Sequence, residues 1–145
     1  MCHLCVGVKR LRPDVKIPAY KHEGDSGFDL AASADVSVGP MSRAVIPTGL
    51  AFEIPEGFEL QVRLRSGAAV RAPLIVQNGP GTVDSGYRGE VKILVYNLSG
   101  EPFEVPKGMA VAQGVVCPVA RAAFIEENIL SETERGGKGF GSTDA

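Results

Sequence analysis

Apolar positions along the chain mostly alternate with polar ones or fall in short runs. The clearest alternation covers residues 58–65, where Phe58, Leu60, Val62 and Leu64 are separated by Glu59, Gln61 and Arg63. It predicts a strand buried on one face. Residues 44–48 and 50–54 are apolar stretches on either side of Gly49 and predict two consecutive strands. Residues 74–76 form a short buried run. Val91, Ile93 and Val95 recur at period two within residues 90–97, and residues 103–105 and 110–116 continue the pattern. Turn residues stand between these segments at Gly39-Pro40, Pro55-Glu56-Gly57, Asn78-Gly79-Pro80-Gly81, Ser99-Gly100 and Pro106-Lys107-Gly108. Only residues 66–71 read as helical, for one or two turns. Such spacing belongs to an all-β sandwich, barrel or jelly roll.

Composition narrows this picture. The 18 glycines and 10 prolines punctuate the chain too densely for long helices. A length of 145 residues fits one domain with a core of its own. We expect the body at residues 1–130, with 1–8 disordered, and a glycine-rich arm at 131–145 without hydrophobic period. The net charge of −2 excludes a broadly basic nucleic-acid binder. No apolar run approaches the ~20 residues of a membrane helix, so neither nucleic acid nor membrane is an expected partner. The N-terminus lacks a signal-peptide layout. Three cysteines cannot complete a disulfide framework, so a reducing, cytoplasmic compartment is expected. Cys2 and Cys5, with His3 between them, are either half a zinc site completed by Cys117 or His22, or two thiols on a mobile terminus. No second closely spaced ligand pair exists to favour the first.

Three segments carry candidate chemistry. In residues 135–143, Arg-Gly-Gly-Lys-Gly-Phe-Gly-Ser-Thr, glycines free backbone N–H groups to turn toward an anion. Arg135 suits bidentate phosphate contact, and Phe140 suits stacking on a base. It is not a Walker A loop, because Glu132 and Gly139 occupy positions that need Gly and Ser or Thr. Leu64-Arg65-Ser66-Gly67 joins the best strand to the helix; Ser66 reads as an N-cap, compatible with a phosphate contact. Residues 81–90 read as a hairpin, with Asp84 and Tyr87 near its exposed end and Gly86 in the turn.

In this order and spacing, these segments resemble motifs of the trimeric dUTPase family. Ser26-Gly27-Phe28-Asp29-Leu30 is similar to its first motif and residues 107–113, Lys-Gly-Met-Ala-Val-Ala-Gln, to its fourth. The resemblance runs from about Asp25 to Thr143. It implies a jelly-roll-like β fold with one short helix and a flexible C-terminal arm. It also implies hydrolysis of dUTP to dUMP and pyrophosphate, with Mg²⁺, in a homotrimer with sites shared between subunits. By resemblance, Asp84 is the catalytic carboxylate that orients and deprotonates the attacking water. Tyr87 underlies the deoxyribose, and residues 78–87, including Asn78, Gly81 and Val83, read uracil. Ser66, Gly67 and Gln113 lie at the phosphates, Arg65 is the motif's arginine at the subunit junction, also counted with the substrate-binding residues, and Asp29 holds the magnesium ion's water shell. Arg135 clamps the γ-phosphate, while Phe140, Gly141, Ser142 and Thr143 close the lid. Leu64, Gly86 and Asp144 depart from the residues usual in the motifs. A dCTP deaminase shares the fold, but its catalytic glutamate has no counterpart in residues 92–97.

Overall fold

The computed structural model describes residues 4–140, and the alternating segments become strands in it. In chain order the elements are β1 (Gly7–Arg10), β2 (Phe28–Ala31), β3 (Val36–Val38), β4 (Arg43–Glu53), β5 (Phe58–Leu64), α1 (Ser66–Arg71), β6 (Leu74–Val76), β7 (Gly81–Val83), β8 (Glu90–Asn97), β9 (Phe103–Val105) and β10 (Ala110–Pro118). One sheet has the order β1-β4-β8-β6 and a second the order β2-β10-β5-β7, with β3 and β9 as a separate pair. All recorded pairings are antiparallel. The result is the jelly-roll-like all-β fold with one short helix. The two sheets close on a shared core: Ile46, Phe52, Ile93 and Val95 come from one side, and Leu30, Leu60, Val62 and Val111 from the other. In β5 and β8 the inward positions are the apolar ones, as a period of two requires.

Four sequence expectations change. Residues 44–54 form one strand rather than two. The register of β4 on β8 jumps between Pro47 and Ala51, so the extra residues form a bulge around Gly49. Gly49 has φ +69°, and its N–H donates to Glu90 Oε1 at 2.8 Å. A glycine there permits the left-handed backbone of the bulge, where the sequence suggested a break. Residues 81–90 are not a hairpin either. β7 pairs with β5 and β8 pairs with β4 and β6, so residues 84–89 cross from one sheet to the other. At the N-terminus, β1 already begins at Gly7, inside the stretch expected to be disordered. It pairs with β4, and Val8 packs on the core. Finally, the packed body ends with β10 at Pro118. From Val119 to Leu130 the side chains are exposed, Phe124 and Ile129 among them.

Asn97 fixes one corner of the sandwich. It is fully buried, and its Nδ2 donates to the carbonyls of Val38, Gly39 and Glu101. Its Oδ1 accepts from the N–H and hydroxyl of Ser99. A buried amide with every bond made costs nothing unsatisfied and holds β8 to the end of β3.

Candidate active site

Strand register brings part of the predicted site together. Gln113 on β10 lies opposite Asp29 on β2, and on its other side opposite Arg63 on β5. Ala112 is opposite Leu64, so the end of β5 and the start of α1 lie beside this row. Arg65 reaches back across it. Its Nε contacts Asp29 Oδ1 at 2.7 Å, its NH1 donates to the Ala110 carbonyl at 3.2 Å, and its backbone N–H donates to Val111. Arg65 itself is the N-cap residue of α1, in extended conformation, so Ser66 is the first helical residue and not the cap. Ser66 and Gly67 thus belong to the first turn, whose N–H groups have no partner within a helix. Gly27 explains how Gln113 fits: a Cβ there would stand 2.4 Å from Gln113 Oε1. The first motif therefore clears space for a side chain of the fourth.

A second group lies elsewhere. The Tyr87 N–H donates to the Asp84 carbonyl at 3.0 Å and closes a turn over Ser85 and Gly86. The Tyr87 hydroxyl donates to the Glu90 carbonyl at 3.0 Å, which holds the ring beside the turn while leaving it half exposed. Arg88 NH1 donates to the carbonyls of Ser85 and Tyr87. The Asp84 carboxylate makes no hydrogen bond or ion pair with the described residues and borders a cleft of about 530 Å³ lined by Phe58, Glu59, Arg88 and Arg121. Val83 pairs with Leu60 and Gly81 with Val62, and Asn78 packs by the α-carbon of Gly81.

These two groups do not meet within one protomer. Val83 lies opposite Leu60, so Asp84 falls beside the Glu59 end of β5, whereas Ser66 follows its other end. The six residue steps of β5, at the rise of a strand, separate its two ends by roughly 20 Å. The arm joins neither. Arg135 Nε donates to the Lys138 carbonyl, Gly136 N–H donates to Thr133, and Phe140 projects fully into solvent. No recorded hydrogen bond or ion pair links residues 131–140 to Asp29 or Asp84. Gly141, Ser142 and Thr143, predicted for the lid, lie outside the described residues, as do Cys2 and His3.

Comparison with known proteins decides the family. The dUTPase family profile matches residues 13–144. The chain belongs to the dUTPase family. It is 50% identical over 136 residues to the deoxyuridine 5'-triphosphate nucleotidohydrolase of Nautilia profundicola, covering 94% of this chain and 96% of that one. It is 46% identical over 138 residues to the Helicobacter pylori protein of the same name, covering 95% of each. Among solved structures, the dUTPase of Staphylococcus bacteriophage 80alpha with dUPNHPP superposes with a TM-score of 0.88 at 27% identity, over 95% of this chain and 97% of that one. The chain is thus a dUTP diphosphatase, hydrolysing dUTP to dUMP.

Sequence reasoning missed one charged neighbour of the dUTPase motifs. Lys21 Nζ contacts Asp29 Oδ2 at 2.7 Å. It stands eight residues before Asp29 in an irregular segment, where neither period nor motif marks it.

A magnesium ion suits this donor set in one way. Asp29 is a single, partly exposed carboxylate, and no three His, Cys, Asp or Glu side chains converge among the described residues. Such a surface does not cage a cation. It fits a small hard ion that arrives on phosphate oxygens and keeps its waters.

Proposed function

We propose that dUTP is cleaved by water attack on the α-phosphorus, with Asp84 as general base, in a homotrimer whose sites are each assembled from three chains. The separation of Asp84 from Ser66 along β5 is the observation that carries this reading. A nucleotide whose base and α-phosphate lie by Asp84 and Tyr87 needs a phosphate cradle closer than a single protomer supplies. A second subunit brings Arg65, Ser66, Gly67 and Gln113. A third brings the arm, since the chain after Pro118 runs exposed and unpacked for more than twenty residues. Closed symmetry makes the three sites equivalent.

In that site the Asp84 carboxylate accepts the water's proton as the new P–O bond forms and the bond from the α-phosphorus to the bridging oxygen breaks, so that pyrophosphate leaves; with no partner among the described residues, both carboxylate oxygens are available. Tyr87 presents its ring to the deoxyribose, where a ribose 2′-hydroxyl collides. Asn78, Gly81 and Val83 read uracil along the β7 backbone; cytosine leaves their buried groups unpaired. Arg65, Gln113 and the first turn of α1 orient the phosphates, and Arg135 neutralises the far end of the chain. Asp29 would hold Mg²⁺ through its water, and the ion would supply polarisation of the phosphate oxygens. Phe140 and residues 141–143 exclude bulk water when the arm closes. The absence of a disulfide framework supports a cytoplasmic location.

Co-expression of two inactive variants tests the assembly. In a 1:1 random mixture of Asp84→Asn and a truncation ending at Thr133, a complete site takes its Asp84 from one variant and its arm from the other. About one quarter of wild-type activity returns if these come from different chains. Mixed trimers, verified by mass, that stay inactive refute it.

A further inference from the structure

Asp29 has each carboxylate oxygen taken by a different cation. Oδ1 is held by Arg65 Nε and Oδ2 by Lys21 Nζ, both at 2.7 Å. The two cations are held unequally. Arg65 is anchored by its two further bonds to β10 and is 29% exposed. The Lys21 side chain is 61% exposed, and Asp29 is its one recorded partner. Its backbone, however, is placed. The His22 N–H donates to Asp25 Oδ2 at 2.9 Å and the Asp25 N–H donates to the His22 carbonyl, so a closed turn follows Lys21 directly. Lys21 is therefore an exposed ammonium on a hydrogen-bonded turn, and Arg65 a more enclosed and better anchored guanidinium.

We propose that Lys21 is a positioning residue that substitutes for the metal at Asp29. The inference rests on the reading of Asp29 given above. In the absence of Mg²⁺ its ammonium occupies Oδ2, an oxygen otherwise open to a water of the metal's shell. When the metal arrives with the triphosphate, Lys21 vacates Oδ2, which an exposed pair does at small cost. Its flexible four-carbon stem lets the charge swing away while the backbone stays. Arg65 remains and keeps Asp29 oriented. Both consequences have one sign. Without metal, Lys21 supplies positive charge beside the phosphates and supports binding. With metal, it competes for Asp29. Its removal widens the ratio of metal-free to metal-loaded dissociation constants from both sides.

Calorimetric titration of the full-length protein with non-hydrolysable dUpNHpp, in EDTA and across a Mg²⁺ series, measures that ratio. Lys21→Gln is expected to raise it about 2–5-fold, the span of an exposed ion pair, and to lower the half-saturating Mg²⁺ concentration. Lys21→Arg keeps the charge and the wild-type ratio. In an Asp29→Asn background, Lys21→Gln raises the ratio less than it does in wild type, because the competition with the metal passes through Asp29 and only the charge beside the phosphates remains. An unchanged or lowered ratio in Lys21→Gln overturns the inference, as does the same rise without Asp29. A wild-type ratio of one overturns the metal reading of Asp29, and this inference falls with it.

Discussion

The two ends of β5 are built on opposite plans. At the Leu64 end, Asp29, Arg65, Lys21 and Gln113 interlock through ion pairs and strand register. At the Glu59 end, Asp84 stands in a turn with its carboxylate unengaged. A group that must neutralise a polyanion benefits from being pre-ordered, because ordering it at the moment of binding costs affinity. A base that must take a proton benefits from having no competing donor. On the proposed assembly, one strand serves two neighbouring sites, contributing orientation to one and chemistry to the other.

The largest effect is expected at Asp84. Asp84→Asn keeps the shape of the turn, because the turn is closed by backbone and not by the carboxylate. Its kcat is expected to fall ~10²–10⁴-fold, with melting temperature and dUpNHpp binding kept. A fall in melting temperature of the kind a core change gives would place Asp84 in the packing instead. The arm comes next. Phe140→Ala is expected to cost about 1–3 kcal/mol in transition-state binding if the ring stacks on uracil, measured as kcat/KM, with no change in ligand-free melting. The interlocked end is then sharpened by Gly27→Ala. The added methyl displaces Gln113 Oε1, so one phosphate hydrogen bond is lost. KM is expected to rise about fivefold, the worth of one such bond, with kcat held within twofold. An unchanged KM would separate Gln113 from the phosphates.

The smallest effect lies beside the same end, where Asp14 ties residues 11–18 to the turn before β10. A hydrogen bond from Lys107, and a weaker one from Arg12, lower its carboxyl from 3.8 to about 2. The folded value is depressed, so the stabilisation is complete above about pH 4 and is lost as pH falls toward 2. Asp14→Asn is expected to lower the melting temperature slightly at pH 7. The gap from wild type should close between pH 4 and pH 2. A gap independent of pH would assign the effect to packing.

The strands that period-two alternation marks, β5 and β8, were legible, as were the short runs of β6, β9 and β10. The helix was legible to the residue, because a strand end, Ser, Gly and two alanines leave little alternative. β1, β2 and β3 were missed: at three or four residues each they are too short for a period to emerge, and pairing across the sheet specifies them. Gly49 shows the same limit from the other side. Glycine marks a change of backbone direction, but whether that ends a strand or bulges it depends on Glu90, forty-one residues away. For the site, the motifs named Asp29, Arg65 and Gln113, and the register joins them. Lys21 was invisible because its role comes from a fold-back that no local pattern encodes. The expected hairpin failed because strand pairing is a competition among all strands: β7 finds β5 and β8 finds β4.

That failed hairpin has a mechanical consequence. A hairpin tip is a cantilever, supported at one end and free to flap. Residues 84–89 instead form a bridge between two stacked sheets, whose separation is about 10 Å, and both of its abutments are strands of the core. With both ends of the span tied into strands and the Tyr87 N–H closing a turn on the Asp84 carbonyl, the backbone of residue 84 is held in place, while its side chain turns about its own bonds. The span therefore fixes where the carboxylate is rooted, and rotation about its own side-chain bonds sets where its oxygens face.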